Sequence, residues 1–136
     1  MTDPDLIAQK LAFIETCVQD LVTLARPAEI RRDVREARFV LHTLQIAIQA
    51  AIDVASHIVS DERLGEPERN RELFDRLAQH GWLSADLAAT MARMAGFRNI
   101  VVHGYGGVNL EIVKDIVEHR LPDLLAFVTT VRARLP

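Results

Sequence analysis

Arg98, Asn99, His103 and Tyr105 fall within the stretch FRNIVVHGYGG, residues 97–107. Arginine stays charged at every ordinary pH and grips phosphate through a planar fork of donors, whereas histidine titrates near neutrality. Together they suit phosphodiester cleavage: the imidazole moves protons and the guanidinium stabilises charge developing on the phosphate. In RNA the 2′-hydroxyl is an internal nucleophile, so such a scheme needs neither a protein nucleophile nor a metal. Geometry constrains it. Positions 98 and 103 lie about 140° apart on a regular helix. They reach one small substrate only if the helix unwinds at Gly104, Gly106 and Gly107, or if two chains build the site across a two-fold axis. Spacing alone is unspecific, because 14 arginines and five histidines in 136 residues supply about half a chance match to R-x-x-x-x-H.

The helix that must carry this stretch is legible. Leu87, Met91, Met94, Arg98 and Val101 recur at three- and four-residue spacings, the repeat of a buried face with a permanent cation in it. A guanidinium there needs a partner for its charge and donors. Ser84 caps this helix, and the glycines after His103 end it, where the dipole favours a protonated imidazole. Upstream, Asp3 and Pro4 open a helix running to about Ala25 along Ile7, Leu11, Ile14, Val18 and Leu21. Pro27 restarts the chain, and a second helix is expected from about Ala28 to Ser60. Its later half is apolar nearly all round, with His42, Gln45, Gln49, Asp53 and His57 as a narrow polar line. That line argues against a membrane span and for a place at a bundle centre and in an oligomer interface. A short helix carries Leu73, Phe74 and Leu77 and stops at Gly81. Asn109 caps a last helix that Pro122 should kink or break near His119. With no strand alternation or repeat, the expectation is an all-α, up-and-down bundle of four to five helices in a single domain, residues 1–136.

Bulk properties agree. Half the residues are hydrophobic but only 5% aromatic, which suits helix packing. The lone Cys17 excludes an internal disulfide framework and a multi-cysteine zinc site, and fits a reducing cytoplasm. The start of the chain lacks the basic region of a signal peptide. A net charge of −3 confines any nucleic-acid contact to a local patch. Arg31, Arg35 and Arg38 with His42 form one candidate, read equally well as a solvated face laced with Glu36 or as a rail for RNA backbone.

Arg98-Asn99-Ile-Val-Val-His103-Gly-Tyr105 resembles the R-N-x-x-x-H-x-Y motif of HEPN-domain proteins, specifically the HepT-like toxin branch found beside MntA-type minimal nucleotidyltransferases. The likeness continues through AIDVASHIVS, ERNRELFDRLAQHGWLS and the kinked final helix, essentially the whole chain. It implies a homodimeric HEPN-like bundle and a metal-independent endoribonuclease without cofactor, acting on RNA, with transfer RNA a reasonable guess. Carried over by motif position, Arg98 and His103 are catalytic and Asn99 shapes the site. Tyr105 is the position that the nucleotidyltransferase antitoxin adenylylates to silence the toxin. Bulk and negative charge beside the cleft would block phosphate. Glycine on both sides of Tyr105 departs from the pattern: it eases access to the hydroxyl and equally loosens His103.

Plainer readings stand beside these. Without the resemblance, Arg98 is best read as an ion pair with a carboxylate such as Asp53, His103 as a helix-terminal histidine and Tyr105 as half-buried packing. Asp53 and His57 have the spacing of a local charge pair, and less convincingly of a metal site. For the whole chain, the alternatives to a ribonuclease are a non-catalytic module that presents nucleotides or substrates to a nucleotidyltransferase, and a purely structural dimerisation domain.

Overall fold

The computed structural model of the chain describes residues 3–103 and 108–136. Every regular element among them is helical: α1 (Pro4–Leu24), a 3-10 turn (Pro27–Glu29), α2 (Val34–Asp61), α3 (Arg71–Gln79), α4 (Ala85–His103), α5 (Leu110–Asp115), a π turn (Ile116–Arg120) and α6 (Leu121–Arg132). Helix α1 starts where expected, since the Asp3 carboxylate accepts the N–H groups of Asp5 and Leu6 at 3.1 and 3.2 Å. Its predicted stripe, Ile7 to Leu21, is buried. Helix α4 is capped by Ser84, whose Oγ accepts the Leu87 N–H at 3.1 Å.

The start of α2 differs from the expectation of Ala28. Pro27 opens a 3-10 turn, the Glu29 carbonyl takes the N–H groups of Arg32 and Asp33, and Ile30 drops into the core at 2% exposure. Burying that one side chain bends the chain. Helix α2 then begins afresh at Val34, with Asp33 accepting the Arg35 N–H at 2.9 Å. Beyond it α2 is the central helix, packed on α1, α3 and α4. By length and composition α2 could cross a membrane, but most of its apolar residues face the bundle interior.

Pro122 acts at a distance of a few residues. It cannot donate to the carbonyl of Glu118, and its ring crowds that turn. The helix relaxes into the π turn containing His119 before α6 resumes. Phe74 of α3 meets Phe127 of α6 edge-to-face at 5.8 Å, both fully buried. At the surface, Arg132 of α6 clasps Glu15 of α1 through two bonds of 2.5 and 3.1 Å.

Two contacts fix which elements share an end of the bundle. Arg31, just before α2, pairs with Glu111 in the first turn of α5. Phe97 of α4 and Ile112 of α5 line one groove of about 230 Å³. The start of α2, the last turns of α4 and the start of α5 therefore lie together.

Candidate active site

Of the motif residues on α4, Arg98 is half-buried and Asn99 is exposed. Met91, Met94 and Val101 are buried as the stripe requires, and Arg98 between them is half-buried. Its Nη1 reaches Asn99 Oδ1 at 3.4 Å, the long limit of a hydrogen bond. Its Nε is buried and has no partner among the described residues, and no carboxylate there pairs with the guanidinium. A cation so placed is tolerated because part of its fork remains solvated, and its unpaired donors suit a ligand that supplies charge and acceptors.

The ion pair with Asp53 that residue type alone favoured is not formed. Asp53 instead takes Lys10 Nζ of α1 at 3.3 Å and Gln49 Nε2 at 2.8 Å. The geometry of α2 accounts for this: Gln49 lies one turn before Asp53, and both border the groove against Leu6, Lys10 and Phe13 of α1. Because a carboxylate only accepts, the amide of Gln49 must point its nitrogen at Asp53, which leaves its Oε1 buried and unpartnered. His57 makes no bond to Asp53 among the described residues. The charge pair read from their spacing is thus replaced by one across two helices.

Position 103 is the last of α4, where a helix-terminal histidine was expected. Tyr105 and the three glycines around it lie outside the described residues.

Sequence reasoning passed over Gly96. A glycine inside a helix costs about 1 kcal/mol relative to alanine. Here an added Cβ would meet nothing within 4 Å among the described residues. Ala89, Gly96, Ile100 and position 103 follow one another at spacings of seven, four and three, one line along α4, and Ile100 is 54% exposed. A mid-helix glycine was the available signal. Lys10 was also missed, as nothing local marks it as the partner of a residue 43 positions away. Cys17 is buried, and burial first, then Asp20, pushes its thiol up, so it is not a poised nucleophile. A wider groove of about 600 Å³, lined by Ser56, Arg63, Glu66 and Asn70, opens at the far end of α2 and contains none of the motif residues.

A family model described as Ribonuclease HepT-like matches residues 14–131. The chain is 33% identical over 130 residues to the mRNA nuclease HepT of Shewanella oneidensis, covering 95% of this chain and 98% of that protein. It is 38% identical over 66 residues to the tRNA nuclease HepT of Aphanizomenon flos-aquae, covering 48% of this chain and 45% of that one. Its fold matches the tri-AMPylated Shewanella oneidensis HEPN toxin, solved in complex with its MNT antitoxin, with a TM-score of 0.88 at 32% identity over 98% of this chain and 100% of the toxin. The bundle is HEPN-like, and the chain belongs to the ribonuclease HepT-like family.

Proposed function

We propose that residues 1–136 form one HepT-like domain that, as a homodimer, cleaves RNA without a metal and is silenced when a cognate MntA-type nucleotidyltransferase adenylylates Tyr105. The observation that carries this reading is the unsatisfied guanidinium of Arg98, an invariably charged group with a buried donor and no carboxylate partner among the described residues. Phosphate supplies both charge and acceptors in the geometry of that fork. Arg98 binds the scissile phosphate and stabilises its developing charge. His103 takes the proton from the 2′-hydroxyl and returns one to the leaving oxygen, and Asn99 orients the guanidinium.

Two chains answer the angular problem. Arg98 borders the buried stripe, whereas position 103 continues the line of Ala89, Gly96 and Ile100, which has no neighbour at Gly96 among the described residues. A second α4 approaching closely at Gly96 brings the His103 of one protomer toward the cleft of the other. Filling that space with Gly96→Leu should dissociate the dimer and abolish cleavage together. Sedimentation beside an RNA assay reads both.

The relatives' names support RNA as substrate, one messenger and one transfer, and an AMP-carrying toxin bound to its antitoxin supports the silencing step. The pH profile of cleavage tests the chemistry. A rate that turns over in the range of imidazole, and loses that dependence in His103→Ala, is expected. Complex formation with the nucleotidyltransferase but no cleavage at any pH, with intact mass excluding AMP on Tyr105, would instead make the chain a binding module.

A further inference from the structure

Helix α2 carries a basic face that the folded chain leaves uncompensated. Arg35, Arg38 and His42 are all exposed and follow at spacings of three and four, one side of the helix. The acids that could neutralise them are engaged elsewhere. Glu36 turns back to accept the Arg26 N–H at 2.7 Å, Glu29 holds Arg32 at 2.7 Å, and Glu111 holds Arg31. Asp33 is occupied capping α2 itself. Neither Arg35 nor Arg38 has a carboxylate partner among the described residues. Arginines in the first turns of a helix also oppose its dipole, so local stability does not explain them. This face begins at the end of the bundle where α4 terminates, as the Arg31–Glu111 pair and the shared groove of Phe97 and Ile112 require.

We infer that Arg35, Arg38 and His42 form a rail that holds the RNA backbone as it leaves the Arg98 cleft. The inference rests on the ribonuclease reading above and adds residues to it. From Arg35 to His42 the helix rises about 10 Å, the length of two to three phosphates along one strand. The contacts are to phosphate, so they fix position without reading sequence. They also explain how a chain with a net charge of −3 retains a polyanion.

The test is affinity for a fluorescent 20-nucleotide 2′-O-methyl RNA, which lacks the attacking hydroxyl and is bound without being cut, measured across salt concentrations. The R35A/R38A variant should bind roughly tenfold more weakly, and its slope of log affinity against log salt should flatten by about 1.4, two single-strand phosphate contacts. R69A/R71A removes the same charge from exposed arginines at the opposite end of α2, and should match the unaltered protein within about twofold. Unchanged affinity and slope in R35A/R38A overturn the rail, and so do equal losses in both variants. Intact RNA affinity combined with lost capture of the nucleotidyltransferase would assign the face to a protein partner and overturn it too. The readout does not depend on turnover: if the protein binds this RNA through Arg35 and Arg38 yet fails to cleave the unmethylated RNA of the same sequence, the rail stands and the ribonuclease reading falls.

Discussion

Asp53 on α2 and Arg98 on α4 are both charged, both half-buried, and both set in helices that are otherwise apolar. Asp53 is answered within the chain, by an ammonium from α1 and an amide one turn away. Among the described residues, Arg98 has only a long contact with its neighbour and a buried Nε without a partner. Removing a partially buried charge that has partners exposes a structural debt. Removing one without partners costs the fold little, which makes Arg98 the candidate for binding a ligand. On the proposed reading, the difference separates scaffold from candidate site without reference to any motif.

Substitution at each centre sharpens that contrast. Arg98→Ala should lower cleavage by about 100- to 1000-fold, while a urea titration finds stability unchanged or slightly raised. Arg98→Lys keeps the charge but not the fork, and should still lose about ten- to a hundredfold, visible in the same assay. Asp53→Ala should do the opposite: stability falls by about 1 kcal/mol as Lys10 and Gln49 lose their acceptor, and cleavage by the folded protein is retained. Were Asp53→Ala to abolish cleavage as fully as Arg98→Ala, the division between the two regions would be wrong.

A smaller effect comes from the surface clasp of Glu15 and Arg132. The hydrogen bond from Arg132 holds the Glu15 carboxyl below its ordinary value of 4.5. A depressed folded-state value means the contribution is present above that pH and is lost as pH falls through the lowered one. Both side chains are over 40% exposed, so Glu15→Gln should cost well under 1 kcal/mol at pH 7 and nothing once the carboxyl is protonated. Thermal melts of both proteins, taken from pH 7 downward until their difference vanishes, read the effect.

Much of the bundle was legible because its signals are local. Asp3, Ser84 and Asn109 each cap the helix they precede, the Ile7–Leu21 stripe is the buried face of α1, and Pro122 disturbs the turn around His119 as its missing donor requires. The start of α2 was not legible, because a tertiary event, burial of Ile30, sets it against the local helical pattern. The fate of Asp53 was hidden for the same reason: whether it meets Lys10 or Arg98 depends on how α2 is rotated between α1 and α4, which no spacing within α2 encodes. Arg98 itself was legible as an anomaly. Only the structure, by assigning Asp53 elsewhere, turns that anomaly into an available guanidinium. Gly96 shows the converse, a residue with no chemistry whose meaning lies in the space beside it.

The central claim, that the open guanidinium of Arg98 serves RNA cleavage with His103, is tested most directly by incubating RNA in chelator with the unaltered protein and with His103→Ala, side by side. The account predicts cleavage by the first and none by the second. No cleavage by either, from protein whose mass excludes AMP on Tyr105, would contradict it.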